Sequence, residues 1–293
     1  MSRSLLAVLL SASVAVADGP FAPDAKVEKL AGGFKFTEGC ASDKDGNVYF
    51  TDQPTDRILK WSVDGKLSTF LDKSGRSNGL CVAADGKLWA CADEKNELWA
   101  IDTATKKVEV LVKDVGGKLL NGPNDIWLTP TGGAYFTDPM YKRPYWKRNP
   151  AEQTKRGVYY RSPKGELTRV ADDLTQPNGI IGTPDGKTLY VADINAGKTY
   201  RYAIQADGTL VKDTTPFCDK GSDGMTLDDA GNVYLTSGAV WVFDKAGKQV
   251  AQLKVPEGPS NVCFGGKDQK TLFITARSGL YAIRCTVTGV GSQ

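Results

Sequence analysis

Short stretches of alternating hydrophobic and polar residues recur along this chain, and tight turns containing glycine separate them. The stretch NGPNDIWLTPTGGAYFTDP, residues 121–139, shows the unit: a polar start, a short apolar run, a Gly-Gly turn and a second apolar run. Two strand-length apolar runs on either side of such a turn predict a β-hairpin. The chain is therefore predicted to be built from hairpins.

The hairpin recurs in six copies, and a second pair of strand patterns follows most of them. Counted from the same point in each copy, the repeats start at positions 38, 78, 124, 178, 223 and 261. Repeats of roughly 40 to 50 residues with four short strands each are typical of propeller blades. We predict an all-β fold, a six-bladed β-propeller with four antiparallel strands per blade.

The sixth copy stops one strand short of a full blade. A strand-like lead-in near residues 27–31 is predicted to supply that strand, which would close the ring. A β-sandwich would also explain the alternating pattern, but it gives no reason for a polar side chain at a fixed place in each repeat. The fixed polar position therefore favours the propeller.

A polar side chain stands eight residues before the turn glycine in five hairpins, and alignment of the sixth hairpin places one there too. If the first strand of each blade is innermost, its first residue lies at one mouth of the central channel, so these side chains are predicted to form a ring. The long loop 139–156 is predicted to lie on the same face and to cover the ring. The ring consists of Glu38, Asn78, Asn124, Asn178, Asp223 and Asn261.

The amino-terminal residues read as a signal peptide. Arg3 precedes an apolar run, and the small residues Ala15 and Ala17 precede the expected cleavage point. We expect residues 1–17 to be removed and residues 18–293 to form a single propeller domain. The mature protein is then expected to be periplasmic or secreted.

The composition excludes several kinds of chemistry. The 293 residues include no histidine, which excludes Ser-His-Asp and Cys-His catalysis and any zinc site that uses histidine. Lys and Arg number 37 against 34 Asp and Glu, and no dense basic run indicates nucleic acid as a partner. No segment after the signal peptide is long and apolar enough to indicate a membrane span.

Four members of the ring form a candidate metal site, namely Glu38, Asn124, Asn178 and Asp223. Their ligand atoms are all oxygens, which favours Ca²⁺ first and Mg²⁺ or Mn²⁺ next, with Zn²⁺ as a further alternative. The two carboxylates would offset the double charge of one divalent cation. The other two members, Asn78 and Asn261, are predicted to support the ligands by hydrogen bonds. The alternative is a ring of polar strand starts that only meets channel water.

Seven segments carry a resemblance to a known family: FTEGC, LLNGPNDIWL, YFTDPMY, QPNGI, LYVAD, SDGMTLDDAGNVY and PSNVCFGG. In this order and spacing, from about residue 30 to residue 282, the chain resembles the gluconolactonase family that includes senescence marker protein 30, or regucalcin. The resemblance implies a six-bladed propeller that hydrolyses lactones with one divalent cation. It implies ligands at Glu38, Asn178 and Asp223, with Asn124 approaching the metal or the substrate.

Two positions depart from the pattern of that family. Gly122 stands where animal members carry an arginine that contacts the substrate, and Asp93 stands where many bacterial members have a histidine. Neither change touches the proposed ligands. The departures therefore leave the choice of sugar open.

The resemblance and the ring together predict how a lactone would be hydrolysed. The cation would polarise the lactone carbonyl, and water activated by the cation or by Asp223 as general base would attack it. Asp125 is a candidate for binding a substrate hydroxyl, with anchoring of a strand end as the alternative. The loop candidates for substrate binding are Tyr141 and Arg143, with Tyr145, Trp146 and Arg148 beside them, and a solvated surface loop is the alternative for all five.

Two other functions remain open at this point. A phosphotriesterase-like hydrolase would use the same metal ligands on a different ester. A non-catalytic propeller would bind a ligand and keep calcium for stability only. The sequence also leaves the oligomeric state open.

The chain has six cysteines without CxxC spacing, and we expect most of them to be buried thiols. A two-residue turn at Asp85-Gly86 would place Cys81 and Cys91 on opposite faces of their hairpin. These two are therefore not expected to pair.

Overall fold

Six four-stranded antiparallel sheets make up the fold in the computed structural model, which describes residues 19–146 and 152–290. In five sheets the four strands follow one another in chain order, and in the sixth the first strand of the chain joins the last three. The predicted six-bladed β-propeller is confirmed. The predicted signal peptide, residues 1–17, lies outside the described residues.

The strands are numbered in chain order, beginning with β1 (Glu28–Gly32). Blade one contains β2 (Thr37–Ser42), β3 (Val48–Asp52), β4 (Arg57–Trp61) and β5 (Leu67–Asp72). Blade two contains β6 (Ser77–Val82), β7 (Leu88–Ala92), β8 (Glu97–Ile101) and β9 (Val108–Val112). Blade three contains β10 (Ile126–Leu128), β11 (Ala134–Asp138), β12 (Gly157–Arg161) and β13 (Leu167–Ala171).

The second half of the ring repeats this order. Blade four contains β14 (Pro177–Gly182), β15 (Thr188–Asp193), β16 (Lys198–Ile204) and β17 (Leu210–Lys212). Blade five contains β18 (Met225–Leu227), β19 (Val233–Thr236), β20 (Val240–Phe243) and β21 (Gln249–Leu253). Blade six contains β22 (Pro259–Gly265), β23 (Thr271–Ala276) and β24 (Gly279–Arg284).

The amino-terminal strand completes blade six, as predicted. β1 pairs antiparallel with β24, from Glu28 opposite Ala282 to Gly32 opposite Gly279. The first and last parts of the chain therefore share one sheet. This pairing closes the ring through hydrogen bonds between strands.

Burial decreases from the inner strand of each blade to its outer strand. Every residue of β2 and β22 is buried, whereas β5 and β21 expose most of their residues. Inner strands are covered on both faces by the neighbouring blades, so they carry apolar and small residues at successive positions. Within the described part of the chain no helix is long and apolar enough to cross a membrane; the short 3₁₀ helix there covers Gln53–Thr55.

The expected placement of the two cysteines of blade two on opposite faces is wrong, although they do not pair with each other. Cys81 lies opposite Trp89, one residue out of the expected register, and Cys81 packs against the same apolar cluster that contains Cys91. The turn is longer than the two residues expected, since the Ala83 N–H bonds the Lys87 carbonyl at 2.8 Å. A one-residue change of register moves a side chain to the other face of the sheet. No disulfide joins any two of the six cysteines in the structure, and Cys81 alone among them is not fully buried.

The closing strand is tied to blade six by a carboxylate that is sensitive to acid. The Glu257 carboxylate accepts hydrogen bonds from Tyr281 OH at 2.6 Å, Lys29 Nζ at 2.9 Å and Ser278 N at 2.8 Å. The Tyr281 hydrogen bond, followed by those of Lys29 and Ser278, lowers the pKa of Glu257 to about 2. A lowered pKa adds stability that is present above the ordinary pKa of about 4.3 and is lost as the pH falls towards 2.

We therefore expect the melting temperature to fall more steeply between pH 4.5 and pH 2 in the native protein than in Glu257→Gln. Thermal unfolding at a series of pH values measures the difference, and the exposed Glu28→Gln serves as the control. Parallel curves for the native protein and Glu257→Gln would contradict this role of Glu257.

Candidate metal centre

All six side chains of the predicted ring stand at the beginning of inner strands. Asp223 is partly exposed, and the other five are buried. The repeat has thus brought one polar residue per blade to the same end of the inner strand. Glu38, Asn78, Asn178 and Asn261 lie within the first three residues of β2, β6, β14 and β22, and Asn124 and Asp223 lie two residues before β10 and β18.

Glycines let neighbouring blades approach each other closely at the ring, a signal that the sequence interpretation missed. A Cβ at Gly79 would lie 2.6 Å from the carbonyl oxygen of Asn124, and a Cβ at Gly179 would lie 2.8 Å from that of Asp223. The Gly79 N–H also bonds the Asn124 carbonyl at 2.6 Å. A side chain at either glycine would push two blades apart. A glycine directly follows Glu38, Asn78, Asn178 and Asp223.

The Asn178 side chain is at the centre of the contacts in the ring. Its Nδ2 donates to Asp223 Oδ1 at 2.9 Å and to Tyr141 OH at 2.8 Å. Its Oδ1 is buried and has no hydrogen-bond partner among the described residues. Buried amide oxygens normally have a partner, because an unpaired one costs free energy. The Asn178 side chain is therefore held in place through Nδ2, while its Oδ1 remains an unpaired acceptor at the centre of the candidate site.

Two acidic side chains interact directly in the ring. Burial, followed by repulsion from Asp223 and Asp125, raises the pKa of Glu38 well above its ordinary value. Although the Asp223 residue as a whole is partly exposed, its carboxyl lies among protein atoms. This loss of solvent raises its pKa to about 6, and the hydrogen bonds from Asn178 and Glu38 oppose the shift. Two neighbouring carboxylates disfavour each other's charge in such surroundings. A positive charge between them would remove that penalty.

Asp125 lines the cavity between the inner strands of the blades. Its carboxylate accepts hydrogen bonds from the backbone N–H groups of Ile126 at 3.0 Å and Ile180 at 3.3 Å. Burial raises its pKa to about 7, and the backbone hydrogen bonds and Asn261 oppose the shift. Asp125 thus ties blade three to blade four, which is the strand-anchoring alternative. Its contact with a substrate hydroxyl stays a prediction.

The long loop of blade three reaches the ring through Tyr141. The hydroxyl of Tyr141 accepts the hydrogen bond from Asn178, and burial raises the pKa of Tyr141, so the phenol stays neutral. The guanidinium carbon of Arg143 lies 4.9 Å from the centre of the Tyr141 ring. Residues 147–151, which include the candidate Arg148, lie outside the described residues.

Asp93 of blade two holds this loop in place. Its Oδ2 accepts a hydrogen bond from Arg143 Nε at 2.8 Å and another from Tyr145 OH, and its backbone carbonyl accepts one from Trp146 Nε1 at 3.1 Å. Asp93 is buried, so the paired charge of Arg143 offsets the cost of burying the carboxylate. Asp93 therefore connects the loop to a neighbouring blade.

The aspartates that end the second strand of three other blades perform a different task. Each accepts backbone N–H groups from the segment that leads into its own inner strand. Asp138, for example, binds the N–H groups of Asn121 and Gly122, both at 2.9 Å. In blade two this place is taken by Ala92, which lies opposite Glu97 as Asp52 lies opposite Arg57. Asp93 follows Ala92 and uses its carboxylate for the loop. The three aspartates are Asp52, Asp138 and Asp193.

The two departures from the family pattern meet in space. Gly122 has a φ of +135°, and a Cβ there would lie 2.5 Å from Asp93 Oδ1 and 2.9 Å from the Trp146 ring. No side chain fits at this position while the loop is docked. Glycine at 122 and aspartate at 93 are thus parts of one arrangement.

The described residues contain no group of three or more His, Cys, Asp or Glu side chains able to hold a metal ion. The candidate centre differs from such a group because it combines the carboxylates of Glu38 and Asp223 with asparagine amides. Its donor atoms are oxygens throughout, as hard divalent cations prefer.

Comparison with known proteins places the chain in a family. Residues 36–278 match the family model described as the SMP-30/Gluconolactonase/LRE-like region. The chain belongs to this family. It is 31% identical to a gluconolactonase of Zymomonas mobilis, over 90% of this chain and 82% of the relative. It is 28% identical to Lactonase drp35 of Staphylococcus saprophyticus, over 75% of this chain and 69% of the relative.

Solved structures agree with this membership. A gluconolactonase from Xanthomonas campestris superimposes with a TM-score of 0.85 at 30% identity, covering 91% of both chains. A calcium-binding protein, regucalcin, from Agrobacterium tumefaciens has a TM-score of 0.74 at 22% identity over 93% of this chain and 96% of the other, and it shows the shared fold. The protein is therefore a gluconolactonase- or lactonase-like hydrolase of the family.

Proposed function

We propose that this protein is a divalent-metal-dependent lactonase that hydrolyses sugar-acid or related lactones. The observation that carries the proposal is the bare, buried Oδ1 of Asn178 beside the Glu38 and Asp223 carboxylates. Gluconolactonases and lactonases among the relatives support a lactone as the substrate. Tyr141 and the docked loop form one side of the channel mouth, where such a substrate would bind.

The residues of the ring fit a hard divalent cation, with Ca²⁺ as the first choice. Glu38, Asn124, Asn178 and Asp223 would hold it, two with charged oxygens and two with amide oxygens. The backbone of Asn124 is fixed by the bond of its N–H to the Thr137 carbonyl at 2.9 Å, which supports this role. A bound cation would supply Lewis acidity that favours negative charge on a lactone carbonyl.

The chain's own groups suit the remaining steps. Asn178 Nδ2 orients the Asp223 carboxylate by donating to its Oδ1, and this carboxylate would accept a proton from the attacking water. Tyr141 accepts its hydrogen bond from Asn178, so its own O–H is left to donate to a substrate oxygen. Asp223 of the ring and Tyr141 of the loop, both bonded to Asn178, would therefore supply one base and one neutral donor.

We further propose that the protein acts on a small molecule after export to the periplasm or beyond the cell. The amino-terminal pattern of charge, apolar run and small residues supports export. The near balance of 37 basic and 34 acidic residues supports a partner other than a polyanion.

Metal analysis followed by a substrate panel tests the function. The purified protein is assayed with gluconolactone, other sugar-acid lactones and a phosphotriester in a pH-indicator assay, before and after a chelator, and after Ca²⁺, Mg²⁺, Mn²⁺ or Zn²⁺ is restored. We expect turnover of a lactone that is lost with the chelator and restored by Ca²⁺. Preferred turnover of the phosphotriester would favour the phosphotriesterase-like alternative. Binding of Ca²⁺ without turnover of any ester would support the non-catalytic alternative.

Asp93→Asn is expected to raise KM for the lactone about tenfold while kcat changes less than about threefold, because the loop that positions Tyr141 loses its charged partner. Steady-state kinetics separate the two constants. Tyr145→Phe removes one hydrogen bond to the same carboxylate and is expected to act in the same direction, more weakly. Asp102→Asn, in a turn of the same blade, is the control. An unchanged KM in Asp93→Asn would show that the docked loop does not shape the site.

A further inference from the structure

Two cysteine sulfurs meet where the first blade adjoins the last. Cys40 lies in β2 and Cys263 lies in β22, and their Sγ atoms are 2.7 Å apart although 223 positions separate them in the chain. Unbonded carbon atoms are in best contact at about 3.5–4.0 Å, and sulfur is larger than carbon. A disulfide bond measures about 2.05 Å. The separation is thus too short for two sulfurs that stay unbonded.

The surroundings hold the two strands firmly together. Ser260 Oγ donates to the Thr37 carbonyl at 2.6 Å, and the Gly266 N–H donates to the Gly46 carbonyl at 2.9 Å. These bonds connect blade one with blade six before and after the sulfurs. Both cysteines also belong to one apolar cluster, which fills the space between these blades. The sulfurs are therefore fixed against each other by the packing of the ring.

No other two cysteine sulfurs in the described residues lie within hydrogen-bonding distance. Cys218 has the same exposure as Cys40 and Cys263, 7%, yet its sulfur faces the Lys220 carbonyl. Burial alone thus does not bring sulfurs together in this fold. The contact is specific to the junction of blades one and six.

We propose that Cys40 and Cys263 are the site of a disulfide that closes the propeller covalently. One thiolate attacks a disulfide donor, either a small-molecule disulfide or the disulfide of a dithiol oxidoreductase, and forms a mixed disulfide. The second cysteine thiolate then attacks the cysteine sulfur of this mixed disulfide and displaces the donor sulfur that is still attached to it. One Sγ–Sγ bond replaces two S–H bonds, and two electrons and two protons pass to the donor, which leaves as thiols.

Such a bond would add to the closure that β1 provides through hydrogen bonds. It would restrict the unfolded chain over a very long loop, which is where a cross-link stabilises most in the chain-entropy model. It would also fix the relative positions of the strands that carry Glu38 and Asn261. Because both sulfurs are buried, the donor must reach them while the chain folds.

Refolding of the whole protein in a mixture of oxidised and reduced glutathione tests the proposal. The product is denatured without reductant, alkylated and weighed, and its peptides are mapped. We expect four alkylated cysteines instead of six, and one peptide pair that joins Cys40 to Cys263. We also expect reductant to lower the melting temperature by roughly 5–10 °C. Six alkylated cysteines, or a bond between any other pair, would overturn the proposal.

Two variants separate the bond from the effect of removing a buried sulfur. Cys263→Ala is expected to lose the response of its melting temperature to reductant, whatever its starting stability. Cys218→Ala, equally buried, is expected to keep that response and to show three alkylated cysteines. An equal response in both variants would contradict the proposal. If Cys263→Ala does not fold, the peptide map of the native protein decides the question.

Discussion

Asp223→Asn and Glu38→Gln are each expected to lower lactone kcat/KM by about 10³-fold or more, because Lewis-acid assistance is worth several kcal/mol and each substitution removes one of the two anionic ligands. Asp223→Asn also removes the candidate base. Steady-state assays at saturating Ca²⁺ measure the loss. Asp64→Asn, in an exposed turn of blade one, is the matched control and is expected to keep the native rate.

Stability distinguishes a damaged site from a damaged fold. In the presence of a chelator, Glu38→Gln is expected to melt at or above the native temperature, because one of two neighbouring buried carboxylates is gone. Addition of Ca²⁺ should then raise the melting temperature of the native protein more than that of either variant. Full lactonase activity in Asp223→Asn would show that the centre is wrongly assigned.

Gly39→Ala is expected to lower the free energy of unfolding by about 2–5 kcal/mol, as a sum of two effects. Gly39 has a φ of +43°, and an alanine in this region costs about 1–2 kcal/mol. Its Cβ would also overlap the carbonyl oxygen of Asn78 in the next blade, and overpacking costs about 1–3 kcal/mol. Denaturant unfolding measures the loss.

Gly86→Ala is the matched control for this prediction. Gly86 has a φ of +81°, but a Cβ there would have nothing within 4 Å. It should therefore lose only the backbone cost of about 1–2 kcal/mol. Equal losses in the two variants would show that the approach of neighbouring blades at Gly39 contributes no stability.

The repeat in the sequence was sufficient to predict the architecture. Six hairpins with a polar residue eight positions before each turn required a common structural unit, and a unit with four strands buries its faces by stacking against copies of itself. For the same reason the start of each inner strand could be placed at one mouth, and Asn178 and Asp223 are in contact there, 45 positions apart in the chain. The closing strand was predictable because the last blade lacked one.

The unpaired amide oxygen of the ring and the close approach of neighbouring blades were harder to predict from the sequence. Nothing in the chain order shows that the Asn178 amide donates to Asp223 and leaves its oxygen bare. The glycines after four ring residues were a usable signal, but their reason, the approach of the next blade's backbone at Gly79 and Gly179, belongs to the packed ring.

The sequence by itself determined the number of blades, the closing strand and the ring of polar side chains, because these follow from strand periodicity and turn position, which are local. Tertiary structure alone decided the docking of Arg143 on Asp93, 50 positions away, and the contact of Cys40 with Cys263. It also decided on which face of the hairpin Cys81 lies. Register and long-range contacts depend on how whole strands and blades pack, and a shift of one residue reverses the outcome.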